Sequence, residues 1–248
     1  MRGSTTTVAR GVSGTPDVVL DWVRALASLA FVLLVPLLLI STALRGLVTD
    51  RDLLLAGFRQ NRVDLTTGLD QPQLERIADA FVAYFQGPPG RLQMQVQVRG
   101  QTQPLFSERE VQHMEDVQAL VQLFLRLQLV AIGVAVVRGV MAVALDRSSV
   151  PIGREMLWGA GLVVALVVVV GVLSLTDFTA LWTRFHQVAF RNDLWQLDPT
   201  RDYLIMLFPE PFWLTATLRL ATTVALETAG LAALGALLAF GGSLGSRC

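Results

Sequence analysis

Four long apolar blocks constrain the fold of this chain more than any other feature. A bilayer hydrocarbon core about 30 Å thick needs roughly 20 helical residues, and each block is long enough. Hydrophobic residues make up 53% of the 248 residues and charged residues 16%, whereas a soluble domain carries about 25% charged residues. The sequence therefore predicts an all-α membrane protein with four transmembrane helices. They are predicted at 22–45, 119–145, 156–175 and 212–240.

The placement of arginine predicts the orientation in the membrane. The chain has no lysine. Arginines occur in the N-terminal tail, in the connection between the second and third blocks and in the C-terminal tail, which share one side if the helices alternate. The positive-inside rule makes that side cytoplasmic. The predicted cytoplasmic segments are 1–21, 146–155 and 241–248, and the predicted extracellular segments are 46–118 and 176–211.

The first extracellular segment, 46–118, is too long for a bare loop. Apolar residues at helical spacing predict a helix over Gln71–Gln86, and alternation over Leu92–Val98 predicts a strand. A small extracellular α+β cap is therefore predicted. Ser107 and Glu110 match a capping box, so a helix should begin there and run without a break into the second span.

The second extracellular segment, 176–211, is rich in aromatic residues. Nine of the nineteen aromatic residues of the chain lie between Phe178 and Trp213. Aromatic side chains at a bilayer surface usually form an interfacial belt. Their density beside a histidine also fits an apolar cleft that holds acyl chains. The sequence leaves both interpretations open.

The two histidines, His113 and His186, lie just outside predicted spans on the same outer side. Histidine is the natural proton-transfer group near pH 7. Considered alone, a histidine at either position more often has a structural role than a catalytic one. A metal site with nearby carboxylates is the rival interpretation, but the chain has no His-x-x-x-His or similar ligand spacing, and no metal is predicted. The single cysteine, Cys248, falls on the cytoplasmic side.

Several charged residues fall inside the predicted spans, where charges are costly and usually paired. Arg126 and Arg219 each lie about seven residues into a helix that begins outside. Each can snorkel to the outer surface or bind a polar or anionic lipid group. Glu227 lies deeper, and an arginine partner is expected for it.

Two segments of the chain stand out as motifs. The first is PLFSEREVQHMEDV, Pro104–Val117, and the second is FHQVAFRNDLWQLDP, Phe185–Pro199, which continues through Asp202–Met206 to Phe208 and Pro209. They resemble the two signatures of a bacterial family, the lipoprotein intramolecular transacylases (Lit). The resemblance spans nearly the whole chain, and each motif exceeds ten residues.

The resemblance implies a reaction and its site. The substrate is a diacylglyceryl-modified lipoprotein, whose sn-2 acyl chain moves to the α-amino group of its N-terminal cysteine to give the lyso form. His113 and His186 fall on the two catalytic histidines of the family. The implied location is the outer face of the bacterial cytoplasmic membrane. The resemblance implies no cofactor, and the partners that it implies are the lipoprotein substrate and membrane lipids. The net charge of zero gives no reason to expect binding to nucleic acid.

General chemistry is consistent with this reaction. An α-amino group has a pKa of about 8 and is mostly protonated at pH 7. One neutral histidine can accept its proton, and a second can protonate the leaving glyceryl oxygen. Asn192 or a backbone N–H is a candidate oxyanion donor, while Asp116 and Asp198 either orient an imidazole or cap local structure. The predicted supporting residues are Glu110, Asp116, Phe185, Asn192, Trp195, Asp198, Tyr203, Arg126 and Arg219.

Two alternatives remain open from the sequence. One is a metal-dependent membrane hydrolase, which would use the histidines with Asp116, Glu110 or Asp193 as ligands. The other is a non-enzymatic membrane protein that binds lipid or lipoprotein. The sequence does not divide the base and acid roles between the histidines.

Overall fold

The computed structural model describes residues 15–241. Arg2, Arg10 and Arg247, on which part of the tail assignment depends, lie outside the described residues, as does Cys248. In chain order the elements are α1 (Thr15–Val48), α2 (Arg51–Gln60), α3 (Val63–Thr67), α4 (Gln71–Gln86), β1 (Gln95–Val98), β2 (Gln101–Pro104), α5 (Glu108–Met141), α6 (Val150–Thr176), α7 (Phe178–Ala189), α8 (Tyr203–Leu207) and α9 (Glu210–Phe240).

Four of these helices, α1, α5, α6 and α9, are long and apolar enough to cross a membrane. The predicted fold class, four transmembrane helices with a small α+β cap, is confirmed. In the bundle, Phe31 and Val35 of α1 share a core with Met156 and Val163 of α6 and Val224 of α9. Val134 and Ala135 of α5 pack against this core, so all four long helices contribute apolar side chains to the bundle.

Helices α6 and α9 approach closely where two glycines meet. A Cβ atom on Gly153 would lie 2.7 Å from the carbonyl oxygen of Gly235. Small residues at such crossings allow membrane helices to pack backbone to backbone. Because Gly153 lies in the first turn of α6 and Gly235 lies near the end of α9, the two helices run antiparallel.

The start of α5 follows from local sequence. Ser107 Oγ accepts a hydrogen bond from Glu110 N at 3.4 Å, and Glu110 Oε2 accepts one from Ser107 N at 2.7 Å. This capping box satisfies backbone donors that a helix start leaves unpaired. As predicted, the helix continues without a break into the second apolar block, and one π-helical turn, Ala142–Asp146, ends it.

A charge cluster joins α1, α5 and α6 at the end of the bundle far from the cap. Arg138, which is 3% exposed, lies 2.9 Å from Asp146 and 2.7 Å from Glu155. Arg24 lies 3.3 Å from Asp146, and Ser28 Oγ donates to Glu155 at 2.7 Å. Two arginines thus balance two carboxylates in a partly buried network.

The prediction of an arginine partner for Glu227 is wrong within residues 15–241. Its Oε2 atom is buried and has no hydrogen-bond partner there, and no arginine of that region forms an ion pair with it. Arg138, which is buried in the bundle, pairs with Asp146 and Glu155 instead.

The cap is built on one apolar core. Phe58 of α2 and Phe81 of α4 pack there with Leu105, Val111 of α5 and Leu207 of α8. Strands β1 and β2 form an antiparallel hairpin over this core. The cap is therefore continuous with the N-terminal end of α5, where His113 lies.

Candidate active site

The fold brings the two histidines side by side. Helix α5 carries His113 and the short helix α7 carries His186, and their ring centroids lie 6.0 Å apart. Both are buried, with exposed fractions of 6% and 7%. At this spacing two imidazoles can act on a single reacting group.

The backbone fixes the tautomer of His186. Its Nδ1 lies 2.8 Å from the carbonyl oxygen of Trp182. A carbonyl accepts only, so Nδ1 carries the proton, and Nε2 of the neutral ring keeps its lone pair. Burial lowers the pKa of His186 below its ordinary value, and the hydrogen bond to Trp182 opposes this only in part. His186 is therefore suited to accept a proton at Nε2 near pH 7.

His113 has a different environment. Its Nδ1 is buried and has no hydrogen-bond partner among residues 15–241. The ring packs edge-on against Phe190, with 5.2 Å between centroids. Leaving a buried polar atom unpaired costs about 1–3 kcal/mol. A group kept at that cost is more easily explained by function than by stability.

Aromatic side chains surround both imidazoles. Of the predicted residues, Phe185 lies 5.3 Å and Trp195 lies 5.0 Å from His186 between ring centroids. Trp182 and Phe190, which the sequence analysis did not select, contact His186 at 4.7 and 5.6 Å. Both stand four residues from His186, so helical spacing could have identified them.

The stack extends from α7 to α9. Trp182 stacks on Phe178, on Phe185 and on Trp213 of α9, with 5.8, 5.3 and 4.7 Å between ring centroids. Phe185 is 43% exposed. The site therefore has a continuous apolar wall that reaches the surface.

Asp116 and Asn192 bind each other. Asn192 Nδ2 donates to Asp116 Oδ2 at 2.8 Å, so this carboxylate is engaged with an amide. Asn192 also accepts from Leu194 N through its Oδ1 and from Trp195 Nε1 through its backbone carbonyl. The pair joins α5 to the turn after α7.

Glu110 is 1% exposed and contributes to the site indirectly, through a contact between α5 and α8. Its Oε1 accepts from Leu204 N at 2.6 Å, which ties α8 to α5. Tyr203 Oη accepts from Gln103 in the hairpin at 3.2 Å. Neither side chain makes a described hydrogen bond or ring contact with an imidazole.

Asp198 shapes a turn. It accepts from Thr200 N at 2.9 Å and from Thr200 Oγ1 at 2.7 Å, and these bonds lower the pKa of Asp198. The turn it forms precedes α8. The described contacts of Asp198 do not include either histidine.

Arg126 and Arg219 make no described contact with either histidine. Arg219 of α9 lies 2.6 Å from Asp50, the cap of α2. Arg126 donates to Gln122 at 3.5 Å and is exposed. In residues 15–241, no group of three or more histidine, cysteine, aspartate or glutamate side chains is placed to hold a metal.

Comparison with known families places this geometry in context. The model of the family described as lipoprotein intramolecular transacylase Lit matches residues 29–213. The chain belongs to this family. Both signatures and both histidines lie within the matched region, so the family resemblance of the sequence is confirmed.

Solved structures of a Lit protein share the fold. The membrane-integral Lit of Bacillus cereus is 17% identical, with a TM-score of 0.77 over 90% of this chain and 99% of that chain. In a second structure of that protein, a histidine is replaced by arginine; it gives a TM-score of 0.74 at 16% identity and covers 94% of this chain and 100% of that chain. In a third, the histidine is replaced by alanine; it gives a TM-score of 0.73 at 16% identity and covers 92% of this chain and 98% of that chain. At this identity the likeness shows the fold.

One curated relative is similar in sequence. It is an uncharacterized protein of Aquifex aeolicus, 29% identical over 116 residues, which are 47% of this chain. The chain spans about half (50%) of the length of this relative.

Proposed function

We propose that this protein moves the sn-2 acyl chain of a diacylglyceryl lipoprotein to the α-amino group of its N-terminal cysteine. An amide bond forms and the glyceryl ester bond breaks. One proton leaves the amine and one reaches the glyceryl oxygen, so no proton is gained or lost overall. The observation that carries the proposal is the buried pair His113 and His186, 6.0 Å apart, in a member of the Lit family.

His186 is the proposed base. Its Nδ1 donates to Trp182, which leaves Nε2 as the acceptor, and its lowered pKa keeps the ring neutral at pH 7. A neutral imidazole can take the proton of the attacking amine. His113 then donates a proton to the departing glyceryl oxygen and recovers one from the protonated His186, so both imidazoles end the transfer as they began.

Orientation is the second proposed contribution. Amine and ester belong to one molecule, and good alignment in such cases corresponds to an effective molarity on the order of 10⁵ M or more. The aromatic wall of Trp182, Phe185 and Trp195 supplies an apolar surface for the acyl chain. No acyl-enzyme is needed.

Asn192 is the proposed oxyanion donor. A side-chain amide has two N–H groups, and the bond to Asp116 uses one of them. The second can donate to the tetrahedral oxyanion. Glu110, Asp198 and Tyr203 support the site through the cap, and Arg126 and Arg219 are proposed to meet polar lipid groups.

The proposed location is the outer face of the bacterial cytoplasmic membrane. Segments 46–118 and 176–211, which carry the two histidines, would then both face outward. The positive-inside rule supports this orientation. A lipoprotein anchored by its acyl chains in the outer leaflet would meet the histidines near the headgroup level.

The test is conversion of a diacyl lipoprotein by purified protein, followed by tandem mass spectrometry. His113→Ala and His186→Ala are expected to abolish the N-acylated product while thermal unfolding shows that both variants fold. Unchanged conversion in either variant would contradict the assigned roles. Loss of an acyl chain as free fatty acid would instead indicate a hydrolase.

A further inference from the structure

The turn after α7 is fastened to α5 on both sides of His113. Arg109, His113 and Asp116 stand at i, i+4 and i+7 and share one face of α5. On one side, Asp116 accepts from Asn192 at 2.8 Å. On the other, Arg109 Nη2 donates to the backbone carbonyl of Asp193 and lies 3.7 Å from its carboxylate.

The same turn carries aromatic walls of the histidine site. Phe190 contacts the rings of His113 and His186 with 5.2 and 5.6 Å between centroids, and Trp195 contacts His186 at 5.0 Å. Phe190 is also the C-cap residue of α7, one turn after His186. The position of the turn therefore determines the space between the two imidazoles.

We propose that Arg109 is a positioning residue for acyl transfer, an inference that rests on the proposed function. Arg109 holds the turn against α5 so that the amine and the ester meet beside the imidazoles. It acts through Asp193 and makes no described contact with either histidine. A misplacement of about 1 Å at a reacting centre costs about 100-fold in rate.

The ion pair between Arg109 and Asp193 is poorly suited to stabilising the fold. The side chains of Arg109 and Asp193 are 38% and 73% exposed, and exposed ion pairs contribute little to the free energy of unfolding. Arg109 Nε is buried without a hydrogen-bond partner among the described residues. Removing this side chain should therefore affect catalysis more than stability.

The experiment measures initial rates of N-acyl product formation over a range of lipoprotein concentrations. Arg109→Met and Arg109→Gln are expected to lower kcat about 10- to 100-fold, with KM within about threefold of the wild type. Arg109→Lys is expected to recover most of kcat, because an ammonium can donate to the same carbonyl.

Arg91→Met is the matched control. Arg91 pairs with Glu108 and Glu115 of α5 and makes no described contact with the turn after α7. Its loss removes an exposed arginine and two carboxylate contacts on the same helix. Its kcat and KM are expected to equal those of the wild type.

The outcomes separate this proposal from the proposed function. A folded Arg109→Met or Arg109→Gln variant with wild-type kcat overturns it, as does a loss confined to KM. Failure of both variants to fold also overturns it, because the contact would then be structural. If the wild type forms no N-acyl product, the proposed function itself fails.

Discussion

Replacement of Glu110 by alanine should destabilise the protein strongly, although the residue lies one turn before His113. Glu110 is 1% exposed. Its carboxylate accepts from Ser107 N at 2.7 Å and from Leu204 N at 2.6 Å. Hydrogen bonds to a charged group contribute about 1.5–3 kcal/mol each.

Loss of both bonds gives an expected decrease of about 3–5 kcal/mol in the free energy of unfolding, since Leu204 N is also left buried without its partner. For a chain of this size, 1 kcal/mol corresponds to a shift in Tm of about 2–4 °C. Glu110→Ala should therefore lower Tm by roughly 6–20 °C. Glu110→Gln, which keeps one acceptor oxygen, should lie between this variant and the wild type.

Thermal unfolding in detergent, followed by tryptophan fluorescence, measures the effect. Glu108→Ala is the control, because Glu108 lies in the same helical turn but is exposed and pairs with Arg91 at the surface. Its Tm should stay within about 2 °C of the wild type. The reasoning is refuted if Glu110→Ala unfolds within about 2 °C of Glu108→Ala.

Three further predictions follow from the same structure. Arg138→Met removes the only arginine beside Glu155 in residues 15–241 and one of the two beside Asp146, so the free energy of unfolding should fall by about 3–5 kcal/mol; a Tm equal to that of the wild type would contradict this. Because the pKa of His186 is lowered by burial, its neutral, proton-accepting form persists to lower pH, so an NMR titration of its imidazole should have a midpoint below pH 6.5; a midpoint above that value would argue against His186 as the base. Trp182→Ala should lower kcat about tenfold or more, since it removes a ring 4.7 Å from that of His186. The matched variant Trp158→Ala, whose side chain is 73% exposed on α6, should keep wild-type kcat, and equal rates in the two variants would exclude a specific role for the Trp182 ring.

Local patterns were sufficient to predict the fold class. The apolar blocks predicted four spans because a bilayer sets the length of a helix. The capping box at Ser107 predicted the start of α5 because its two hydrogen bonds join residues three apart. Such features depend on neighbours in the sequence, and the structure confirms them.

Contacts between distant segments could not be predicted in this way. The bonds from Arg109 and Asp116 to the turn after α7 join residues 84 and 76 positions apart. Arg219 was expected to snorkel or bind lipid, and it pairs with Asp50, 169 positions away. These partners depend on how the cap lies on the bundle, which no local periodicity encodes.

The sequence also placed several residues near the site without showing what they contact. Glu110 shares a helix with His113, but its carboxylate faces Leu204 of α8. Asp198 lies within the second signature, but its Oδ1 accepts from Thr200, two residues later in the same turn. Neighbouring residues on a chain can face different partners, so proximity in sequence does not assign a role.

A crossover experiment tests the central claim most directly. Two diacyl lipopeptides that differ in peptide sequence, one with deuterated acyl chains and one unlabelled, are incubated together with the protein. Tandem mass spectrometry then locates each chain. Intramolecular transfer predicts products of unchanged mass in which one acyl chain has moved to the amine and every peptide keeps its own label. Products that carry the other peptide's label, or that have lost a chain to water, would contradict the account.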